Sequence, residues 1–417
     1  MRILWIKTEL LHPVDKGGRI RTYQMLREIA RNHHVTYLTL DDGGAAPDAL
    51  DKASEYAHVV ARVPFAPPAK GSAAFYQALA LNVFSSLPYA VARYRSGQME
   101  RAITKHAKDA DLVVCDFLAP AVNLPSQIAA PTVLFQHNVE AMLWERHTEV
   151  STSVVRKAYM GEQFRRMAKF EGDACRRLDH VIAVSEEDAE VMRQRYSAPS
   201  VSSVPTGVDV EYFTPTGRVT RNPNEIVFTG SMDWMPNDDA MVWFLQDILP
   251  RIRDRMPSVV VTVVGREPSE RLHSLADRLG GVEVTGRVPD VRPYLERAAA
   301  FIVPMRVGGG TRLKIFEAMA MGLPVVSTAI GAEGLPLQNN STILLRDQPE
   351  AFANGIFEML ANDGSLSEIG RTGQQLVRHS FGWHGVATQF MAQCDDAIAR
   401  KAQRNSTDGA SLRAGSR

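Results

Sequence analysis

The sequence predicts an α/β protein built from two doubly wound, Rossmann-like domains. Three observations carry that expectation. Short apolar runs that end on glycine or a polar residue alternate with longer helix-forming stretches, the pattern of parallel strands buried under crossover helices. The alternation restarts after a proline-bearing, charged run, Thr214 to Asn224, so the pattern occurs twice. The chain has 417 residues, 45% hydrophobic and 23% charged, enough for sizeable cores and typical of a soluble globular protein. The boundary is expected near residue 215. Residues 1–214 form the first domain, 215–380 the second, 381–400 a terminal helix and 401–417 a disordered polar tail.

Charge and cysteine usage exclude several classes. The formal net charge is zero, which speaks against wholesale nucleic-acid binding. Cys115, Cys175 and Cys394 lie far apart, without paired metal-ligand spacing, and read as ordinary thiols of a reducing compartment. The N-terminal MRILWIKTELLHP lacks the apolar core and cleavage site of a signal peptide, so a cytoplasmic protein is expected.

In the first domain, Arg2 to Lys7 is the opening strand. The polar loop Asp15-Lys16-Gly17-Gly18-Arg19 leads into a helix carrying Ile20, Tyr23, Met25, Leu26 and Ile29, and Val35 to Leu40 is the next strand. Gly17 and Gly18 stand at a strand-to-helix turn, where open α/β sheets bind ligands, although a glycine pair also marks any tight turn. From Gly71 to Ala92 there is no charged residue, and Arg93, Arg95, Arg101 and Lys105 follow. Gln77, Asn82, two serines and Pro88 make this a poor spanning helix. It reads either as a buried helix beside a solvated basic face or as an apolar helix lying on an anionic membrane surface.

Asp111 to Cys115 and Thr132 to Phe135 are further strands. The second runs into Gln136-His137-Asn138-Val139-Glu140, which puts His137 on the ligand side of a doubly wound sheet. There it could bond a hydroxyl, shuttle a proton, or serve structure alone. Ser151 to Asp179 is a long helical stretch, Val181 to Val184 a strand, and Ser185 with Glu186-Glu187-Asp188 a helix start.

The second domain opens with strand Ile226 to Thr229, which turns at Gly230-Ser231 ahead of a helix from Asn237 to Leu249. Val259 to Val264 ends at Gly265-Arg266-Glu267, and Val282 to Thr285 at Gly286-Arg287. Arg266 and Arg287 either flank a ligand or sit in solvated loops. Phe301 to Val303 ends at Pro304, and Gly308, Gly309 and Gly310 let the backbone turn tightly. Thr311 suits an N-cap, Arg312 to Met321 a helix, Gly322 its stop, and Val325-Val326 opens another strand. Arg312 and Lys314 fall in the first turn, where each cation is disfavoured by roughly 0.3–1 kcal/mol unless an anion sits opposite. Two readings fit: a phosphate cradle, with Glu317 one turn deeper to accept hydroxyls, or an ordinary strand–helix–strand unit with solvated charges. Neither a Gly-Lys-Ser/Thr phosphate loop nor a GxGxxG fingerprint is present there.

The run GGGTRLK at 308–314 with FEAMAMGLPVVST at 316–328 resembles the donor-nucleotide segment of retaining GT-B glycosyltransferases of family four, group 1. VIAVS at 181–185, PTGVD at 205–209, FTGS at 228–231 and VTGRV at 284–288 extend the likeness to nearly the whole chain except the tail. Within the family the sequence is most similar to exopolysaccharide-associated sugar transferases of the PEP-CTERM-linked type. The resemblance implies two Rossmann-like domains facing a cleft, the first binding acceptor and the second the donor nucleotide, with the terminal helix crossing back to the first. It implies a retaining, metal-independent hexosyltransferase that uses a nucleotide-sugar donor and no further cofactor. The acceptor would be a glycan or lipid-linked hydroxyl in exopolysaccharide or cell-surface polysaccharide biosynthesis, and a lipid-linked acceptor would fit the membrane-surface reading of the stretch from Gly71 to Lys105, a peripheral association at the inner membrane face.

Carried residue by residue, the likeness assigns catalysis to His137, Arg312 and Lys314, and donor binding to Gly17, Gly18, Gly230, Ser231, Gly309, Gly310, Thr311 and Glu317. Two departures stand out. The family's other glutamate, eight positions before Glu317, is Gly309 here, with Glu333 the nearest candidate to replace it. The family's Arg and Lys after the Gly230 turn are absent from Ser231 to Asn237, which shifts phosphate charge onto Arg312 and Lys314. Two other classes share the fold: a sugar-nucleotide epimerase, and a catalytically inactive partner subunit, the latter suggested by the lost glutamate.

Overall fold

The computed structural model describes residues 1–14, 17–69, 71–149, 154–307, 313–360 and 368–414. The chain divides into two compact units, Met1–Pro205 with Val386–Arg417, and Thr206–Gly385.

The first unit is wound on a parallel sheet. Its strands are β1 (Arg2–Lys7), β2 (His34–Asp41), β3 (Val59–Pro64), β4 (Leu112–Asp116), β5 (Thr132–Phe135), β6 (His180–Ala183) and β7 (Val201–Ser203). The order is β3-β2-β1-β4-β5-β6-β7, and every pairing is parallel. Winding therefore reverses between β1 and β4. Ile3 to Ile6 and Leu112 to Cys115 are buried without alternation, as central strands covered on both faces must be. Helices Gly97–His106, Val154–Arg177 and Glu186–Tyr196 supply Met99, Ile103, Met167, Cys175 and Met192 to one core layer. Ser185 caps the last of these by accepting from the Asp188 N–H at 3.1 Å, above three acidic residues in the first turn. The long helix expected over 151–179 is Val154–Arg177, preceded by a separate helix, Glu140–Glu149.

The second unit repeats the plan with β8 (Glu225–Thr229), β9 (Val260–Val264), β10 (Val282–Val284), β11 (Ala300–Val303), β12 (Val325–Ser327) and β13 (Leu344–Leu345). The order is β10-β9-β8-β11-β12-β13, again all parallel, with the reversal between β8 and β11. Ile226 and Phe228 enter the core on one face and Val227 that on the other, as the pleat requires. Helix Leu313–Ala320 stops where Gly322 takes φ 74°. Gly322 N–H donates to Met319 O and Leu323 N–H to Ala318 O, closing the helix end.

Three expectations need correction. The boundary lies at 205/206 rather than 215, because residues beyond it pack on the second unit. Val208 N–H donates to Phe381 O at 2.8 Å, Thr216 Oγ1 to Glu296, and Val208 and Phe213 are core residues. The tail from 401 is not disordered over its length: the terminal helix runs Trp383–Ala414, in the first unit from Val386 on. Phe390 is fully buried against Trp5 and Phe135, and Lys401 Nζ donates to Ile128 O, Ala130 O and Asp179 Oδ2. Finally, the uncharged stretch is not a buried helix. Ala73–Leu81, capped by Ser72, contains no buried residue, and Tyr89–Ala92 is a separate short helix.

Candidate functional site

β8 and β11 lie side by side at the second unit's reversal, so the loops leaving their carboxyl ends frame the position where doubly wound sheets take ligands. Gly230 ends β8, and the packing there has no room for a side chain. A Cβ would lie 2.7 Å from Lys314 Nζ and 2.8 Å from Asn237 Nδ2. Gly265, at the end of β9, is tighter still: its Cβ would fall 1.7 Å from the Gly230 carbonyl oxygen. Lys314, in the first turn of Leu313–Ala320, donates to Asn237 Oδ1 at 2.9 Å and lies 4.2 Å from the centre of the Phe228 ring. Asn237 Nδ2 donates in turn to Ser231 O at 2.8 Å. Ammonium, amide and the Gly230–Ser231 turn thus form one network.

Ser231 Oγ donates to Asp233 at 2.5 Å and accepts from Arg266 Nε at 2.6 Å, while Arg266 Nη2 reaches Asp233 at 3.2 Å. Arg266 is therefore tied into the turn by an ion pair; Arg287 is exposed after Gly286. Glu317, one turn below Lys314, is half-buried. Burial pushes its carboxyl up to about 7 against the pull of Lys314, and among the described residues that carboxylate has no hydrogen-bond partner. Glu333 is exposed, on the loop beyond β12. Gly308, Gly309, Gly310, Thr311 and Arg312 lie outside the described residues. Trp234, Met235, Val307 and Ile330, all large and exposed, follow the carboxyl ends of β8, β11 and β12 and add apolar surface around the polar network.

The first unit's reversal carries a different construction. Lys7 and Asp116, the last residues of β1 and β4, are buried and paired at 2.9 Å. Asp116 Oδ2 also accepts from Thr22 Oγ1 at 2.7 Å and Trp5 Nε1 at 3.0 Å, and its Oδ1 lies 2.7 Å from His137 Nε2. Arg21 Nη1 lies 3.2 Å from His137 Nδ1. A guanidinium only donates, so Nδ1 accepts and the imidazole proton sits on Nε2, facing Asp116. Burial drives the His137 pKa down to about 3 despite Asp116, which keeps the ring neutral. Burial opposes ionisation of Asp116, yet Lys7 and His137 hold its carboxyl well below the usual range.

Phe117 follows Asp116 with φ 72°, and its ring stacks on His137 at 3.7 Å between centroids, with Lys7 Nζ 4.1 Å from its centre. That ring explains Gly18, at the start of helix Gly17–Ala30: a Cβ there would lie 2.7 Å from Phe117 Cζ, whereas Gly17 has open space around it. Glu171, fully buried, accepts from the N–H groups of Glu140 (2.8 Å) and Ala141 (3.0 Å), from Tyr196 OH (2.7 Å) and from Gln136 Nε2 (2.9 Å). It caps Glu140–Glu149 and so fixes the loop that presents His137. A cavity of about 240 Å³ in this unit is lined by Lys7, Glu9, Tyr94, Phe117, Glu140 and Met167, among others.

Lys314 and Gly230 thus meet in one network, and Gly18 and His137 meet through Phe117. Sequence reading missed Lys7, Arg21, Asp116, Glu171 and Asn237 as site residues. Lys7 and Asp116 did carry a signal, since each is a charge at the last position of a strand, directly after an apolar run.

Comparison with known proteins adds the family. Residues 16–212 match the model for Glycosyltransferase Family 4, and residues 223–362 that for Glycosyl transferases group 1. The D-inositol 3-phosphate glycosyltransferase of Streptomyces bingchenggensis (strain BCW-1) is 30% identical over 237 residues, 50% of this chain and 51% of that protein. An uncharacterized 44.6 kDa protein in the cps region of Klebsiella pneumoniae is 21% identical over 391 residues, 91% of this chain and 96% of that protein. The chain spans about half the length of the first curated relatives it matches. The crystal structure of Anabaena Alr3699/HepE in complex with UDP and glucose matches with a TM-score of 0.63 at 14% identity, covering 95% of this chain and 100% of that one, a likeness of fold alone. The chain belongs to the family-four, group 1 glycosyltransferases and carries the GT-B fold.

Proposed function

We propose that this protein moves a sugar from a nucleotide-sugar donor to a hydroxyl of a glycan or lipid-linked acceptor, with retention at the anomeric carbon, in the assembly of an exopolysaccharide or other cell-surface polysaccharide. The observation that carries the proposal is the network joining Lys314, Asn237 and the Gly230–Ser231 turn at the reversal of the second sheet. A nucleotide-sugar leaves as a nucleoside diphosphate, so the site must stabilise charge that grows on the pyrophosphate. Lys314 supplies a cation in the first turn of a helix, unfavourable alone and favourable opposite phosphate. Arg312, two positions earlier in the sequence, adds a second, and Gly309, Gly310, Thr311, Gly230 and Ser231 contact the phosphates. Glu317 accepts the ribose hydroxyls, and Glu333 takes over contact with the donor sugar lost at Gly309.

In this proposal the first unit receives the acceptor, in the cavity beside Lys7, Phe117 and Glu140, and the Gly17-Gly18 turn faces the donor phosphates and the acceptor. His137 acts as a fixed, neutral hydrogen-bonding group rather than a titrating base. Charge stabilisation rests on side chains and N–H groups, with no metal in any step. The cps-region relative supports the polysaccharide context.

A thermal-shift panel of nucleoside diphosphates and their sugars tests this, since a ligand at about 100 times its Kd adds about 2.7 kcal/mol of stability. Lys314→Ala should weaken nucleotide affinity by about 2–3 kcal/mol, roughly 30–150-fold, and lower turnover, while the ligand-free Tm stays nearly unchanged. Unaltered affinity and turnover in that variant would refute the proposal.

A further inference from the structure

Among the described residues, the four most exposed large apolar side chains of the first unit lie within one nine-residue stretch: Tyr76 (62%), Leu81 (62%), Val83 (59%) and Phe84 (90%). The others of that unit are scattered singly at lower exposure, as surface hydrophobics normally are. On helix Ala73–Leu81 the exposed positions Ala73, Ala74, Tyr76, Gln77, Ala80 and Leu81 fall on one outward arc, with Phe75, Ala78 and Leu79 half-buried behind them. The tip beyond the helix is built rather than loose. Asn82 is buried and donates to Leu87 O at 3.1 Å. Arg166, from Val154–Arg177, donates to the carbonyls of Asn82 (2.7 Å) and Val83 (2.9 Å), and Gln163 accepts from Tyr89 N–H at 2.8 Å. Arg166 thus holds the backbone at Asn82 and Val83, while Asn82 and Gln163 fix the return of the chain at Leu87 and Tyr89, which leaves the side chains of Val83 and Phe84 in solvent.

Charge indicates what covers them. No Asp or Glu occurs from residue 56 to residue 99, whereas five exposed cations, Arg93, Arg95, Arg101, Lys105 and Lys108, follow against two exposed acids, Glu100 and Asp109. Glu162, on the gripping helix, is taken up by Arg165 and Arg166 at 2.8 and 2.6 Å. A second copy would bring the same cations against this collar and be repelled. An anionic bilayer meets both features, its acyl boundary accepting the apolar tip and its phosphates the basic collar. We infer that the segment Tyr76 to Phe84 docks this protein on an anionic membrane surface, with Leu81, Val83 and Phe84 entering the headgroup–acyl boundary. The contact is peripheral: among the described residues no helix is long and apolar enough to cross a membrane. The inference is independent of the transfer activity, because a membrane-bound protein lacking any turnover would leave it standing.

The test is sedimentation of the full chain with phosphatidylcholine vesicles, with and without phosphatidylglycerol. The unmodified protein should partition at least about tenfold more strongly onto the anionic vesicles, and less so at high salt. The double variant Val83→Ser/Phe84→Ser should lose about tenfold or more of that partition, with Tm and nucleotide-induced stabilisation unchanged, since both side chains are already in water. Arg93→Gln/Arg95→Gln should weaken binding to anionic vesicles only. Equal partition of the unmodified protein and the tip variant, or no preference for anionic vesicles, overturns the inference. So does a dimer, seen by light scattering, that the tip variant abolishes.

Discussion

The two sheets reverse their winding in the same way, and in both the carboxyl ends flanking the reversal hold the polar chemistry. They treat charge in opposite ways. In the first unit, Asp116 gathers Lys7, Thr22, Trp5 and His137 around one buried carboxylate, and Arg21 closes the far side of the imidazole. In the second, Lys314 stands beside glycines that bring backbone close, and the Glu317 carboxylate has no hydrogen-bond partner among the described residues. Large apolar side chains remain exposed around that second network but not around the first cluster. A doubly wound sheet fixes where a site lies, not what it does. The same opening is filled by internal pairing around Asp116 in one unit and, in the function proposed above, is completed by the donor in the other.

The largest expected effect tests the sealed side. Asp116→Ala leaves Lys7 buried without a counter-charge and removes the acceptor of three further donors, so it should cost about 3–5 kcal/mol of stability. Urea unfolding measures it, with Lys314→Ala as the control expected to stay within about 1 kcal/mol in the absence of ligand. Equal losses in the two variants would erase the contrast between the units.

Next comes Glu317. Its folded pKa of about 7 lies above the ordinary 4.5, so the folded chain holds the proton more tightly than the unfolded one. Stability should therefore fall as pH rises from about 4.5 to about 7, by up to about 3 kcal/mol, and then level off. Glu317→Gln should remove that slope, so its Tm advantage over the unmodified protein grows with pH while nucleotide affinity drops. A Tm difference independent of pH would mean that the carboxylate is solvated, and the second site would then be less desolvated than its burial indicates.

What was legible in the sequence follows the range of the interactions. The strand–glycine–helix–glycine–strand unit around Lys314 could be read because each signal sits within a few residues of the next: apolar run, glycines, helix formers, then Gly322. Asp116 with Lys7, and Glu171 with the loop carrying His137, could not, because those partners lie 109 and about 31 positions apart and meet only when the sheet forms. Asn237 reads as one more helix residue until Lys314, 77 positions away, reaches it. The stretch Ala73 to Phe84 misled in the other direction: an uncharged run suggests interior, yet only one side of Ala73–Leu81 packs and the rest faces outward. The boundary at 205/206 was displaced because a proline-bearing, charged run looks like a linker even when Val208 and Phe213 pack into a core.

His137 gives the smallest effect and the sharpest distinction. With a folded pKa of about 3 against an ordinary 6.5, the unfolded chain binds the extra proton first. This group therefore costs nothing above about pH 6.5 and withdraws stability as pH falls below it, about 2 kcal/mol by pH 5. His137→Asn should flatten that part of the acid limb. Nuclear magnetic resonance of the ring in the unmodified protein should show the neutral form, protonated on Nε2, throughout pH 8 to 5, with no matching limb in the pH dependence of kcat/KM. A midpoint near 6.5 would instead mean that protonation on Nδ1, towards Arg21, carries no penalty. That outcome is incompatible with a ring held between a guanidinium and a carboxylate at 3.2 and 2.7 Å, and it would turn the sealed cluster into an open site like its counterpart.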